Sequence, residues 1–252
     1  MEILVVIAII VVLAAIAFPI YGRIKSKANM GHATNIMRQL GSAVGAYAAQ
    51  NNGELPAEDT KGKDDWQVIG QPEADKAWYN SLPKVMNAKP VGDFARERRE
   101  AAFYTKENVL FLPGAQYPEG KKMARPYFAI AINGRLQRKD KDGKKAEVRM
   151  NNIVNPSNTV IFLEQGLPGE PKAHETISKN AYDGAPKGNA KSFVARYTGK
   201  GLIAFVGGNV REVAGKELLS DTGDILWNPE QATTDQSAIV WTTDPKDDPN
   251  GK

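Results

Sequence analysis

The chain has 252 residues, of which 25% are charged and 42% hydrophobic, and a net charge of +4 at pH 7. These values exclude a multi-span membrane protein and a largely disordered chain, and they predict one globular domain of roughly 200 residues plus an N-terminal segment. Cysteine is absent, which excludes disulfide bonds, thiolate zinc sites and thiol nucleophiles.

The N-terminal stretch, residues 3–20, is an uncharged and almost wholly apolar run. As a helix it would reach about 27 Å, close to the ~30 Å hydrocarbon core of a bilayer. Glu2 stands at its head, where a charge in lipid costs several kcal/mol without a partner. The run therefore predicts a membrane-length helix and a partner for Glu2.

The helical pattern continues beyond the apolar run. Apolar residues recur at helical spacing from Ile36 to Ala48, which predicts an amphipathic half that packs on a protein core. Pro19 and Gly22 predict a bend, and residues 51–53, Asn-Asn-Gly, predict the end of the helix. Gly41 and Gly45 each cost about 1 kcal/mol relative to alanine in a helix, so we expect a close approach there, by the domain's own sheet in preference to a neighbouring subunit.

The rest of the chain predicts short helices followed by strands. Residues 57–76 read as a loop with Trp66 as an anchor, residues 77–82 and 94–104 as short helices, and residues 166–191 as a long surface loop. Residues 139–145 read as an exposed hairpin tip. The predicted strands are residues 108–112, 127–132, 147–154, 159–163, 192–197, 201–206 and 209–213, the last two joined by a hairpin at Gly207 and Gly208.

Residues 2–10 and 13–19 closely resemble the N-terminal helix of type IV pilins and of the pseudopilins of type II secretion systems. Glu2 falls on the family's glutamate and Pro19 on its helix-bending proline. Residues 35–41, Tyr47 and residues 51–56 are similar to the pseudopilin-like proteins of planctomycetes and verrucomicrobia. That similarity covers much of the chain, with weaker motifs after the helix.

The resemblance implies an α+β, pilin-like fold in which a long N-terminal helix packs against a mostly antiparallel sheet. Residues 1–22 would form the transmembrane and filament-core half of the helix, residues 23–53 its amphipathic half, and residues 54–252 the globular domain. The implied function is that of a filament subunit, whose partners are copies of itself, the inner membrane before assembly, and the assembly machinery. Glu2, Pro19 and Gly22 are the implied assembly residues, with Glu2 meeting the amino terminus of a neighbouring subunit.

The sequence departs from the family pattern in two places. Family precursors carry a short basic leader, whereas here the nearest basic residues, Arg23, Lys25 and Lys27, follow the apolar run. Because such residues normally mark the cytoplasmic side, we expect the natural N-terminus to lie upstream of Met1. Where the relatives carry two histidines and an aspartate, this chain has Tyr197, Gly207, Gly208 and Asn209, which favours a structural hairpin.

Secretion-type pseudopilins commonly hold calcium in a C-terminal loop, so the resemblance also implies a candidate calcium site. Asp221, Asp224 and Asp244 provide oxygen ligands of the type calcium requires. The same residues are equally suited to cap turns through backbone hydrogen bonds. Calcium binding and capped turns both remain open on the sequence.

Three other functions compete with the filament hypothesis. Ala15, Ile16 and Ala17 resemble a signal cleavage site, which would release a soluble periplasmic binding protein. The basic residues of 139–145 suggest DNA binding, for which the small net charge is weak evidence. The chain lacks a Gly-x-Ser-x-Gly elbow, a phosphate-binding loop and a dinucleotide fingerprint, and His32 and His174 read as ordinary helix and loop residues. We therefore expect no enzyme.

Overall fold

A computed structural model describes residues 2–58, 64–119, 124–136, 148–226 and 238–246. In these residues a long N-terminal helix accompanies a mixed five-stranded sheet, which confirms the α+β fold class. The helices are α1 (Glu2–Gln50), α2 (Trp66–Ile69), α3 (Trp78–Val85) and α4 (Val91–Arg96), and the strands are β1 (Ile130–Asn133), β2 (Val160–Glu164), β3 (Lys187–Gly188), β4 (Lys200–Phe205) and β5 (Val210–Ala214). Short 3-10 helices lie at Pro72–Ala74, Glu100–Tyr104, Met150–Asn152, Lys179–Ala181, Ala190–Ser192 and Gly215–Glu217.

Helix α1 runs for 49 residues and is continuous through Pro19 and Gly22. It ends where the sequence predicts. Asn52 and Gly53 adopt left-handed φ angles of 53° and 82°, and the Gly53 N–H donates to the Ala48 carbonyl at 2.8 Å. This arrangement satisfies a carbonyl that the end of a helix leaves without an intrahelical partner.

The sheet has the strand order β3-β1-β2-β4-β5. Every pairing is antiparallel except that of β1 with the short edge strand β3. Strands β4 and β5 form the predicted hairpin, in which Gly208 has a φ of 87° and the Phe205 N–H donates to the Asn209 carbonyl at 2.9 Å. The sheet is therefore mostly antiparallel, as predicted.

One face of the sheet is covered by the second half of α1. Ala33, Ile36, Met37, Leu40 and Val44 are buried there at the spacing of one helix face. Alternate residues of the strands point to this side, as the two-residue period of a strand requires. The buried partners on this side include Phe128, Ile130, Ile132, Phe162, Leu202 and Ala204.

The opposite face of the sheet is covered by the segment 166–191 and by the described C-terminal residues 238–241. The segment 166–191 buries Leu167, Ile177 and Tyr182, although we predicted a surface loop. Trp241 is also fully buried, and the Val160 N–H donates to the Val240 carbonyl at 2.9 Å. The prediction of a surface loop failed because the apolar residues of segment 166–191 follow no regular period in the sequence, although they pack in the interior of the domain.

Three predicted strands are wrong, because within the described residues none of these segments forms a strand of the sheet. Residues 108–112 form turns, because Asn108 accepts a hydrogen bond from the Leu110 N–H and donates to the Phe103 carbonyl. In the described part of residues 147–154, the chain forms a 3-10 helix after one isolated bridge at Arg149. Residues 192–197 make isolated bridges at Phe193 and Tyr197 only.

The short helices fall close to the predicted places. Helix α3 extends the predicted segment through Pro83, and α4 with the 3-10 helix Glu100–Tyr104 occupies residues 91–104. Trp66 is buried and packs edge-on against Phe103 with ring centroids 5.4 Å apart. The predicted anchoring role of Trp66 is therefore confirmed.

Candidate assembly surface and the buried charged network

The first half of α1 carries apolar side chains that the described part of the chain leaves exposed. Ile3 is 76% exposed, and the other described large apolar residues as far as Leu13 are 51–61% exposed. Burying each such side chain is worth about 1.5–3 kcal/mol. Because these side chains occur all round the helix, the surface requires an apolar environment on every side. The exposed residues of this apolar half are Ile3, Val5, Val6, Ile7, Ile9, Ile10, Val11, Val12 and Leu13.

The three predicted assembly residues all lie in this helix. Glu2 is its first residue, Pro19 lies within it, and Gly22 is exposed, with no described atom from beyond its own stretch of helix within 4 Å of the position a Cβ would take. Among the residues that the structure describes, no helix is both long enough and apolar enough to cross a bilayer.

Gly41 and Gly45 have different surroundings. A Cβ on Gly41 would lie 3.4 Å from the Cα of Gly208, so the tip of the β4–β5 hairpin approaches the helix backbone closely. The prediction for Gly41 is confirmed. A Cβ on Gly45 would meet nothing within 4 Å in the described chain, so the predicted approach of the domain's own sheet is wrong at Gly45. Within the described residues, a side chain at this half-buried position would have free space.

An open groove lies beside Gly45, between α1 and α3. It holds about 440 Å³ and combines polar residues of α1 with the apolar end of α3. Arg38, Gln39 and Ser42 are exposed in it. The complete lining is Arg38, Gln39, Ser42, Ala43, Ala46, Val85 and Met86. The groove therefore forms an accessible surface shared by α1 and the end of α3.

A buried charged network lies inside the globular domain. The Arg196 guanidinium donates to both carboxylate oxygens of Glu170, from Nε at 2.8 Å and from Nη2 at 2.6 Å, and its Nη1 lies 3.3 Å from Glu164 Oε1. The side chains of Arg196, Glu164 and Glu170 are 4%, 0% and 2% exposed. Such a bidentate pair is the geometry in which arginine binds a carboxylate most strongly.

The remaining hydrogen-bonding groups of the network are also occupied. Glu164 accepts from the Tyr197 hydroxyl and from the Leu202 N–H, both at 2.9 Å. Glu170 accepts from the backbone N–H groups of Gln116 and Leu167. The network thus joins β2, β4 and the loops between them, and it leaves neither carboxylate free to act as a base or a ligand.

Burial sets the protonation behaviour of this network. It raises the pKa of Glu164, and the nearby Arg196 guanidinium and the Tyr197 hydroxyl only partly oppose the rise. Burial and the adjacent Glu164 carboxylate raise the pKa of Tyr197, because a phenolate there would face a like charge. Although burial alone lowers the pKa of Arg196, Glu170 and Glu164 raise it above its usual range. The Arg196 guanidinium is therefore always charged.

This network was not predicted from the sequence. Glu164 directly follows four apolar residues of β2, and a carboxylate at that position is the signal that could have found it. Glu170 and Arg196 stand in segments rich in turn residues, where charged side chains usually face water. No pattern in the sequence joins these three residues.

The candidate calcium ligands are not gathered into one site. Asp224 accepts from the Thr222 hydroxyl at 2.9 Å, and Asp244 accepts from the Lys246 N–H at 2.9 Å. The Asp221 carbonyl faces His174 Nε2 at 3.1 Å. In the part of the chain that the structure describes, no three His, Asp or Glu side chains form a group that could hold a metal ion. Calcium binding stays a prediction.

The other singled-out residues occupy ordinary places. His32 is exposed on α1, and His174 bonds to Thr176 in a loop, 2.8 Å from Nδ1 to Oγ1. Asn209 lies in the hairpin, where its side chain donates to the Ser157 carbonyl. The proposed DNA-binding segment, residues 139–145, lies outside the described residues.

Comparisons with family models, with curated proteins and with solved structures give no match for this chain. The likeness to pilins and pseudopilins therefore rests on the N-terminal helix and the motifs that follow it in the sequence.

Proposed function

We propose that the chain is the structural subunit of a type IV pilus-like filament or of a type II secretion pseudopilus. The single observation that carries the proposal is the division of α1. Its first half exposes apolar side chains on all sides, and its second half is buried on the sheet of the globular domain. A helix divided in this way can insert into the inner membrane and later exchange lipid for copies of itself.

Assembly would follow from the burial of the apolar half. Close packing and polar pairing drive helices together where lipid offers no hydrophobic gain. The resemblance assigns the polar pairing to Glu2 and the amino terminus of a neighbour. The globular domain, with its pilin-like order of helix before sheet, would form the outer wall, and Pro19 and Gly22 would let the helix adapt within the bundle.

Cysteine cross-linking tests this function, because the chain has no cysteine of its own. We expect single substitutions in the apolar half, Val5→Cys or Ile9→Cys, to give cross-linked dimers in sheared cell-surface or periplasmic fractions, because one thiol in each copy can join it to one neighbour. The matched control is Lys179→Cys, at an exposed position of the globular domain. Electron microscopy of the same fractions should show fibres. A chain that stays monomeric and soluble would support the periplasmic binding protein instead.

A further inference from the structure

Three cations follow the apolar half of α1. Arg23, Lys25 and Lys27 are exposed, and within the described residues no ion pair involves them. From Ile3 to the end of the helix the sequence contains no acidic residue that could neutralise them. We call these three residues the basic collar.

The collar surrounds the helix. At 100° per residue, Arg23 and Lys27 lie on one side of α1 and Lys25 lies nearly opposite. A neighbouring protein would contact one side of a helix, whereas a lipid headgroup layer surrounds it. The arrangement of the three charges therefore fits a layer of anions better than a single acidic patch.

The height of the collar also fits a headgroup layer. Residues 3–20 span about 27 Å, which matches the hydrocarbon core, and the collar begins about 4.5 Å beyond Ile20. Tyr21 and Ile24 are 67% and 60% exposed at the same level, and tyrosine is typical of the membrane interface. The globular domain meets the helix just beyond the collar, where a Cβ on Gly114 would lie 3.4 Å from the Cβ of Asn29.

We propose that the basic collar binds the anionic phospholipid headgroups of the membrane that holds the subunit before assembly. This inference rests on the proposed function, because it requires the apolar half to lie in a bilayer. Anionic lipid would hold the domain at a fixed height above the membrane. A subunit entering the filament would then have to release that lipid.

Fluorescence quenching by brominated lipid tests the collar. The full chain carrying Tyr21→Trp is reconstituted in vesicles of equal parts phosphatidylcholine and phosphatidylglycerol, with only one lipid brominated in each sample. The chain without Tyr21→Trp supplies the background of its own tryptophans. Each basic residue favours anionic lipid by roughly fivefold, so we expect several-fold stronger quenching by brominated phosphatidylglycerol. The preference should shrink in about 1 M salt.

Two triple variants complete the test. Arg23→Gln, Lys25→Gln and Lys27→Gln together should abolish the preference, while the exposed controls Lys106→Gln, Lys179→Gln and Lys216→Gln, which remove the same charge, should keep it. Equal quenching by both lipids in the parent would overturn the collar proposal and leave membrane insertion intact. If the collar variant then also lost filaments, the collar would instead contact a neighbouring copy. No quenching by either lipid would overturn both the collar and the membrane-anchored function.

Discussion

The guanidinium of Arg196 and the carboxylate of Glu170 form a bidentate ion pair in the interior of the domain, with donor–acceptor distances of 2.8 and 2.6 Å. The Arg196 side chain also donates to the Gln165 carbonyl at 2.5 Å and faces Glu164. One positive charge thus lies between two buried carboxylates. Removing it would leave both without a compensating charge.

Arg196→Ala should therefore lower the free energy of unfolding by about 3–5 kcal/mol. Arg196→Lys should recover little of the loss, because an ammonium group cannot form the two parallel hydrogen bonds. The measurement is urea denaturation of the full chain in detergent. As a control, Arg99→Ala breaks an exposed pair with Glu107 and should cost at most about 1 kcal/mol. Equal losses for Arg196 and Arg99 would contradict the role given to the network.

Gly201 leaves no room for a side chain. A Cβ there would lie 2.1 Å from the Val194 carbonyl oxygen and 2.7 Å from the Phe193 ring. Gly201→Ala should therefore destabilise the domain by about 1–3 kcal/mol through overpacking. The same methyl group at Gly31, which is exposed on α1, would meet no described atom within 4 Å and should stabilise the helix by up to about 1 kcal/mol. The melting temperature should fall for Gly201→Ala and rise for Gly31→Ala. A shift of both melting temperatures in the same direction would contradict this explanation.

Substitutions at Gly45 and Gly41 can distinguish effects on folding from effects on assembly. Gly45→Ala should raise the stability of the single subunit by about 1 kcal/mol, since nothing in the described chain opposes the added methyl. Gly41→Leu should lower it by about 1–3 kcal/mol, because Gly208 lies against the helix there. If a neighbouring copy packs at Gly45, Gly45→Leu should fold normally and assemble poorly. Normal fibres from Gly45→Leu would exclude close packing at this residue.

The buried tyrosines predict loss of stability in alkali. Burial raises the pKa of Tyr182 to about 12, above its usual value of 10.0. Since the folded state holds this proton more tightly, the stabilisation is complete below pH 10 and is lost as the pH rises through about 12. Because one pKa unit corresponds to about 1.4 kcal/mol, the free energy of unfolding should fall by about 3 kcal/mol over this interval. Between pH 10 and 12 the urea midpoint should fall less steeply for Tyr182→Phe than for the parent protein. For the exposed Tyr21→Phe it should fall as steeply as for the parent. Parallel curves for all three proteins would contradict this explanation.

In the proposed function, Glu2 forms the polar pairing with the amino terminus of a neighbouring subunit. Glu2→Ala should leave the fold unchanged, because among the described residues the buried core draws on the second half of α1, from Ala33 onward. It should greatly reduce the number of fibres, since the partner charge would be left alone in an apolar core. Fibre counts by electron microscopy, with His32→Ala as a control at an exposed position of the same helix, measure the effect. Normal numbers of fibres from Glu2→Ala would remove Glu2 from the mechanism.

The elements with a strong period were predictable from the sequence. The long helix, its stop at Gly53, and strands β2, β4 and β5 all followed from apolar spacing and turn residues. The hairpin at Gly208 and the anchor Trp66 followed for the same reason. Local chemistry decides these features, so a single sequence is enough to find them.

The features set by distant contacts were not predictable. Residues 108–112 have the apolar content of a strand, but the Asn108 side chain satisfies the backbone locally. The burial of segment 166–191 depends on the sheet face beneath it. The candidate site was also predictable only in part. The apolar half of α1 was evident from composition. The pairing of Arg196 with Glu164 and Glu170 was not, because it joins residues 26 or more positions apart.

The most direct test of the proposed function is the intact mass of the protein recovered from cells, measured in membrane, filament and soluble fractions. We predict a species in the membrane and filament fractions that retains residues 3–20. A mature species that begins near Phe18 and occurs only in the soluble fraction would contradict assembly through the apolar half of α1.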